Sequence, residues 1–346
     1  MLNVERLLAD CLKDVRGEGG AESGGGAGIP VPFGAAAESE AAGAGAGAHA
    51  AKADLDVDDP AYREARRTFL AAGLAALNSG HRVGSSWTQH HLSPRRGAQA
   101  ELYAHLSATA HRAREEGRVR GFFFMHKEPG LRVRFEAPEG VAEQLCASLP
   151  ERLLYAPPVR VPYEPETYLF GGPDSMEHVH ELFTADSFAW LDQHTRPARG
   201  TPTPADWRLS LLLLRELLGG LGVVGWEHRG VWEALRREAG RGLGAGRIED
   251  DPDMRRAAHG IAAYWRLTPS EMYDTLPEAC AAAVRARGEA VRGAAARWRC
   301  AYFESGGATI GPRTAAAYFT VFHWNRGRLS HARQSLLTDA LADGRR

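Results

Sequence analysis

The sequence has no long hydrophobic run, no closely spaced cysteine pair and no excess of either charge. No stretch approaches the roughly 18 apolar residues of a transmembrane helix, and acidic residues interrupt the apolar pattern of the first 15 residues, which excludes a secretory signal. The four cysteines are scattered without a CxxC pair, so neither a zinc site nor a disulfide framework is expected. These absences favour a soluble cytoplasmic protein with reduced thiols, no metal and no membrane partner.

The charges are balanced, with 42 Lys and Arg against 43 Asp and Glu and a formal net charge of −1. Binding to nucleic acid depends mainly on a positive field, which this composition does not supply. No direct contact with nucleic acid is therefore expected. The 346 residues, 44% of them hydrophobic, are sufficient for a full globular core.

The chain divides into three parts by composition. Apolar residues recur at helical spacing in residues 1–15, which predicts a short amphipathic helix. Residues 16–57 are almost entirely Gly, Ala, Ser and Glu and cannot bury enough apolar surface to fold, so they are expected to form a disordered linker. The folded region is predicted to span residues 58–346.

The first half of the folded region alternates between strand and helix patterns. A strand around Trp87 is followed by a helix at about 96–116, a hairpin at 118–136, a helix at 139–154 and a strand over VRVPYEPETYLF. This β-α-β-β-α-β order is that of a ferredoxin-like sheet. From residue 175 onward the patterns are helical, so we expect an α+β protein with a mixed or antiparallel sheet and a largely helical second half.

The hairpin FFFMHKEPGLRVRF carries Arg132 and Arg134 two residues apart, on one face of a strand. Guanidinium groups rarely enter a core unpaired, so an anion of the protein or of a ligand is expected there, with simple solvent exposure as the alternative. A three-residue EPG loop would place Lys127 opposite Leu131 and His126 opposite Arg132, on the arginine face.

The same register would place Phe124 opposite Arg134 and leave an apolar surface on the other face of the hairpin. The residues predicted for that surface are Phe123, Met125, Val133 and Phe135.

Further polar residues lie close to the predicted sheet. Glu164 and Glu166 are predicted to share a strand face, where pairing with the arginines is favoured over acid-base chemistry. WTQHHL places Trp87 and Gln89 on one strand face, which is interpreted as a wall of a site. Asp186 is interpreted either as a helix N-cap or as part of a polar site lining.

Near the C-terminus, HWNR places His323 and Arg326 one helical turn apart. At this spacing the two side chains can point at one ligand, or the segment can cap the end of a helix.

These motifs together resemble the thiopeptide-type bacteriocin biosynthesis family, which comprises stand-alone relatives of the C-terminal elimination domain of lantibiotic dehydratases. The resemblance runs from about Trp87 to Leu337 and leaves the first 57 residues uncovered. The motifs that carry it, in order, are WTQHHL, FFFMHKEPGLRVRF, YEPETYLFGG, SMEHVHELFTADS, WEHRGVWEALR and VFHWNR.

The resemblance implies a peptide-tailoring function. In this family, Ser and Thr of a ribosomally made precursor peptide are glutamylated from glutamyl-tRNA by another domain or protein, and the elimination domain expels glutamate to leave dehydroalanine or dehydrobutyrine. Neither a metal nor an organic cofactor is implied. The expected partners are the precursor peptide, leader plus core, and a separate glutamyl-tRNA-dependent dehydratase.

The arginine pair matches the glutamate-binding arginines of the family. The resemblance therefore implies Arg132 and Arg134 as catalytic and glutamate-binding residues, with His323 as the base and His126 as the second candidate. The other expected substrate-binding residues are Lys127, Glu166, Arg326, Gln89 and Trp87.

Two departures leave alternatives open. The family carries a third arginine where this chain has Leu169, and its C-terminal histidine stands where this chain has Val321, two residues before His323. The alternatives are a pyridine-synthase-like cyclase, which performs a formal aza-[4+2] cycloaddition with release of the leader, and a non-catalytic peptide-binding subunit of a split dehydratase.

Overall fold

The structure, a computed structural model, describes residues 60, 62–69, 85–128, 130–196, 200–244 and 247–343. The predicted helix of residues 1–15 and the predicted linker of residues 16–57 lie outside these ranges. Residues 62–69 are helical, and all the elements named below belong to a compact unit that begins at Gly84.

A four-stranded antiparallel sheet opens this unit. Its spatial order is β2-β3-β1-β4, and helices connect β1 to β2 and β3 to β4, so the predicted α+β class and the ferredoxin-like arrangement are confirmed. The elements in chain order are β1 (Ser85–Leu92), α1 (Gln99–Glu115), β2 (Gly121–Lys127), β3 (Gly130–Pro138), α2 (Val141–Ala147), a 3-10 turn (Glu151–Leu153) and β4 (Val159–Val161).

The second half of the unit is helical, as predicted. Its helices are α3 (Pro173–Thr195), α4 (Asp206–Gly220), α5 (Glu227–Glu238), α6 (Arg247–Asp250), α7 (Pro252–Arg266), α8 (Pro269–Asp274), α9 (Glu278–Trp298), α10 (Pro312–Arg326) and α11 (His331–Ala342), with a π-helical turn at Arg299–Phe303. Among the described residues, no helix has both the length and the apolar character that crossing a membrane requires.

The predicted register of the β2-β3 hairpin is wrong by one residue. Lys127 pairs with Gly130, so only positions 128 and 129 connect the strands, and Met125 lies opposite Arg132. A one-residue change in the loop moves every side chain of one strand to the opposite face. Consequently His126 does not share a face with the arginines, whereas Phe123, opposite Arg134, does.

The two faces of the sheet are therefore composed differently from the prediction. One face carries only apolar side chains in the centre of β2 and β3, and Tyr103 of α1 packs on it against Phe124. The other face mixes charge and aromatic rings, and one row across the sheet joins Gln89, Arg134 and Phe123.

The strand predicted over residues 159–170 is only three residues long, Val159–Val161. Pro162 and Pro165 follow it, and a proline cannot donate a backbone hydrogen bond to a neighbouring strand. Glu164 and Glu166 therefore lie on an irregular loop rather than on a strand face, which corrects the prediction for both residues.

Helix α3 runs along the outer edge of β2 and fixes that strand against the helical half. The backbone N–H of Phe122 donates to Thr184 Oγ1 at 3.2 Å, and that of Phe124 donates to Ser187 Oγ at 3.3 Å. These hydroxyls satisfy donors that an uncovered edge strand would expose. Because Asp186 lies between them in the middle of α3, the N-cap interpretation of this residue is wrong.

Candidate functional site

Arg134 lies at the centre of the mixed face of the sheet and is only 9% exposed. Its guanidinium carbon is 4.7 Å from the ring centre of Phe123 and 5.2 Å from that of Tyr163. Burial lowers the pKa of Arg134 to about 10, so the group stays charged at neutral pH. Neither Nε nor Nη1 has a hydrogen-bond partner among the described residues, so these N–H groups are available to an anion.

Two more guanidinium groups contribute to the same positive field. Arg132, on the same face of β3, has a buried Nε without a partner in the described part of the chain. Arg326, at the end of α10, is fully buried, and its guanidinium carbon lies 4.3 Å from the ring centre of Phe183. Burial is the main cause of the lowered pKa of Arg134, and the charges of Arg326 and Arg132 lower it further. The site therefore concentrates positive charge among aromatic rings.

Asp186 of α3 is the counter-ion of Arg326. Its Oδ2 accepts a hydrogen bond from Arg326 Nη1 at 2.6 Å, and its Oδ1 lies 2.6 Å from His323 Nδ1. Burial acts to raise the pKa of Asp186, but His323 and Arg326 outweigh it and hold this pKa below its ordinary value. Since Nε and Nη2 of Arg326 lack partners among the described residues, Asp186 fixes the guanidinium without occupying all its donors.

His323 belongs to this buried network. The side chain is 0% exposed, and its Nε2 lies 3.0 Å from Ser210 Oγ, which also accepts a hydrogen bond from Trp324 Nε1 at 2.9 Å. Both ring nitrogens thus have protein partners. His323 and Arg326 point to a common group, and that group is the carboxylate of Asp186 rather than a ligand.

His126 lies on the other face of the sheet. Its Nε2 is 2.7 Å from the hydroxyl of Tyr103, and its Nδ1 is 3.0 Å from the backbone oxygen of Asn325. Burial lowers the pKa of His126 to about 4, so the ring is neutral at physiological pH. On α3, His194 Nε2 similarly lies 2.9 Å from the backbone oxygen of Arg326, so two imidazoles hold the end of α10 in place.

A tyrosine-histidine pair lies directly beside Arg134. The hydroxyl of Tyr163, on the loop after β4, is 2.7 Å from Nε2 of His180 on α3. The ring centre of His180 is 4.4 Å from that of Trp87. Burial, followed by the charge of Arg134, lowers the pKa of His180 to about 4.

The other predicted site residues near Arg134 differ in how far they are buried. Gln89 is buried and donates to the backbone oxygen of Pro162 at 2.7 Å, and its Oε1 has no partner among the described residues. Glu166 is half-buried, and its charge acts on both Arg134 and Tyr163. Lys127 is exposed at the end of β2, on the arginine face.

The sequence interpretation missed the contact between Tyr163 and His180. Neither residue was singled out from the sequence as a site residue, and the described residues contain no group of three His, Cys, Asp or Glu side chains that could hold a metal. The contact joins a loop to a helix 17 residues later, and no periodic pattern reports such a contact. The available signal in the sequence was that two polar aromatic residues, Tyr163 and His180, follow the arginine hairpin.

Comparisons with known proteins agree with this architecture. The family described as lantibiotic biosynthesis dehydratase C-term matches residues 87–343. No curated protein matches the chain. The crystal structure of the tRNA-dependent lantibiotic dehydratase MibB from Microbispora sp. 107891 is similar with a TM-score of 0.55 and 20% identity. The similarity covers 75% of this chain and 28% of MibB, so the chain spans under a third of the length of that protein.

The crystal structure of TsrL also shows similarity, at 14% identity and a TM-score of 0.34. It covers 75% of this chain and 94% of TsrL.

Proposed function

The chain belongs to the family of C-terminal domains of lantibiotic biosynthesis dehydratases, and we propose that it eliminates glutamate from glutamylated Ser or Thr of a precursor peptide. The observation that carries this proposal is the pair Arg132 and Arg134, on one face of β3 and with guanidinium N–H groups that lack protein partners among the described residues. A glutamate carboxylate matches both the charge and the planar donor geometry of these groups.

Elimination requires a base for the α-proton of the modified residue and cations for the departing carboxylate. Arg134 and Arg132 would hold the glutamate, and Arg326 would add positive charge beside them, as its effect on the pKa of Arg134 indicates. The buried location supports this function because electrostatic stabilisation is stronger where water is excluded. The reaction requires no metal and no organic cofactor.

The geometry favours a positioning role for His323. Its two ring nitrogens are bound to Asp186 and Ser210, and Asp186 in turn holds Arg326. His126 would act similarly, because it fixes the backbone oxygen of Asn325 immediately before Arg326. In this proposal neither imidazole reaches the α-proton.

We propose the precursor peptide as the substrate and a separate glutamylating enzyme as the partner. MibB is described as a tRNA-dependent dehydratase, and this chain covers 28% of it. In this proposal the glutamylating enzyme would supply the glutamylation step. Trp87, Gln89, Glu166 and Lys127 would line the route of the peptide to the arginines, since they share or adjoin the arginine face.

A cyclase that joins two dehydroalanines is the second candidate function. The observation behind it is Leu169, a half-buried residue packed against the core. It stands where the elimination domains carry a third arginine, so one expected contact to glutamate is missing. A cyclase would release the leader from a dehydroalanine-containing peptide and leave a glutamylated peptide unchanged.

The test is the intact mass of a glutamylated precursor peptide before and after incubation with the protein. Loss of glutamate that leaves each modified site one water lighter than Ser or Thr would support elimination. Arg134→Lys should slow this loss about 10- to 100-fold, because a point charge replaces a bidentate donor and charge-assisted hydrogen bonds contribute about 1.5–3 kcal/mol.

Arg118→Lys is the matched control, since Arg118 is 42% exposed on a turn and pairs with Glu116. It should eliminate glutamate at the wild-type rate. A wild-type rate for Arg134→Lys as well would contradict the site assignment.

A further inference from the structure

The hydrogen bond between Tyr163 and His180 is held in a fixed orientation. The ring of His180 packs 4.4 Å from the ring centre of Trp87 and 5.8 Å from that of Phe123, so Nε2 is directed at the Tyr163 hydroxyl 2.7 Å away. Trp87 also lies 6.2 Å from the ring centre of Tyr163. A pair clamped by aromatic rings on both partners needs no rearrangement before a proton moves between them.

The pair also lies at the anion site. The guanidinium carbon of Arg134 is 5.2 Å from the ring centre of Tyr163, so a carboxylate bound by Arg134 would lie next to the phenol. In a glutamylated serine, the ester joins that glutamate to Cβ, and the α-proton is on the adjacent carbon. With the ester carboxyl of the glutamate at Arg134, the α-proton would lie in the neighbourhood of the Tyr163 oxygen.

We propose that Tyr163 is the catalytic base of glutamate elimination and that His180 takes up its hydroxyl proton, an inference that rests on the proposed function. The phenol oxygen removes the α-proton while its own proton passes to Nε2 of His180. The electrons of the C–H bond form the Cα=Cβ double bond, and the Cβ–O bond breaks. Its electron pair leaves with the glutamate carboxylate, which Arg132 and Arg134 hold.

Burial sets the resting protonation states of Tyr163 and His180. Burial raises the pKa of Tyr163, while Arg134 acts in the opposite direction, so the hydroxyl keeps its proton until the substrate proton is removed. The lowered pKa of His180 keeps its ring neutral at neutral pH, so Nε2 carries a lone pair that can receive the proton. Because the same shift makes the ring a weak base, the transfer depends on the negative charge that develops on the departing glutamate. The positive charge that forms on His180 is balanced by the carboxylate released beside Arg134. The proton then returns to solvent after glutamate leaves.

The other titratable groups are less suited to this role. His323 is 0% exposed with both ring nitrogens bound, and His126 lies on the opposite sheet face. Glu166 is the rival base, because its charge acts on Arg134 and Tyr163. Glu166 lies on the loop three residues beyond Tyr163. The activities of the Glu166→Gln and Tyr163→Phe variants decide which of the two residues is the base.

The experiment measures kcat and KM for glutamate release from a precursor peptide carrying ester-linked glutamate, by mass spectrometry. Tyr163→Phe should lower kcat at least 100-fold with an unchanged KM, since a general base contributes 10²- to 10⁴-fold. His180→Gln preserves a hydrogen bond to the phenol but cannot take up its proton, and should lower kcat about 10- to 100-fold, again without affecting KM.

Tyr155→Phe is the control for loss of a phenol hydroxyl, since Tyr155 is 64% exposed and its neighbours are Arg95, over its ring, and the backbone N–H of Arg96. Its rate should equal that of the wild type. A kcat for Tyr163→Phe within threefold of wild type would overturn the inference. So would a change in KM alone, or a loss of activity in Glu166→Gln that Tyr163→Phe does not share. Failure of the wild-type protein itself to release glutamate would instead refute the proposed function on which the inference rests.

Discussion

Asp186→Asn tests whether one buried carboxylate holds the guanidinium of Arg326 in place. Asp186 is 1% exposed, and its two oxygens lie 2.6 Å from His323 Nδ1 and from Arg326 Nη1. Removing the anionic partner of a buried ion pair leaves the cation uncompensated and costs about 3–5 kcal/mol. For a folded unit of this size we expect Tm to fall by roughly 6–20 °C.

The measurement is unfolding by guanidinium chloride and by heat, followed by circular dichroism. Asp192→Asn is the matched control on the same helix. Asp192 Oδ2 accepts a hydrogen bond from Arg287 Nε at 2.7 Å, but both side chains are about a quarter exposed. The control should therefore cost about 1 kcal/mol or less. Equal losses of unfolding free energy in the two variants would refute the role of Asp186 as the counter-ion of Arg326.

The pH dependence gives an independent check on Asp186. Its pKa in the folded protein lies below the ordinary value, so its contribution to stability is present above the pKa of the unfolded chain, about 3.9, and is lost as the pH falls through the folded pKa. The difference in unfolding free energy between wild type and Asp186→Asn should thus be constant from about pH 5 to 8 and shrink below about pH 4. A difference that instead grew on acidification would contradict the assignment.

Two further substitutions test the packing around the site. A Cβ at Gly327 would lie 2.4 Å from the ring of Trp190, so Gly327→Ala should lower the free energy of unfolding by about 1–3 kcal/mol. Gly260 lies in a helix, and a Cβ there would meet nothing within 4 Å, so Gly260→Ala should raise the free energy of unfolding by about 0.5–1 kcal/mol. Chemical denaturation measures both changes, and the reverse order would contradict the packing. Because burial lowers the pKa of His180 from 6.5 to about 4, the unfolded chain binds more protons than the folded chain between these values, and stability falls on acidification. Between pH 7 and pH 4 the wild type should lose roughly 3 kcal/mol more than His180→Gln in the same denaturation assay, and equal losses would contradict the buried neutral ring.

The order of the sheet elements was predictable because each strand and helix has its own hydrophobic period and the turn residues separate them. The pairing register was not predictable, because it depends on whether two or three residues form the hairpin loop, and EPG is compatible with either. This ambiguity affected only the side chains of β2. His126 and Phe123 exchanged faces, whereas Arg132 and Arg134 kept a common face under either register.

The site was predictable to the extent that it depends on local spacing. The arginine pair on one strand and the His323-Arg326 turn on one helix both follow from the periods of those elements. The partners of these residues were not predictable, because they come from distant segments. Asp186 is 137 residues from His323, and Tyr163 is joined to the helix of His180 by an irregular loop that contains Pro165.

The charge balance of the site connects its structural part with the part that we propose to be catalytic. Asp186 is the carboxylate bound to Arg326, whereas the buried donors of Arg134 and Arg132 remain without protein partners in the described residues. A buried guanidinium without hydrogen bonds costs free energy, which a bound anion would offset. The site should therefore bind a carboxylate ligand more tightly than a neutral isostere, and glutamate release would return the arginines to their unpaired state. Because the arginines bind a carboxylate more tightly than they bind nothing, glutamate would leave readily only when a glutamylated peptide takes its place. Free L-glutamate should therefore inhibit elimination competitively in the same mass assay.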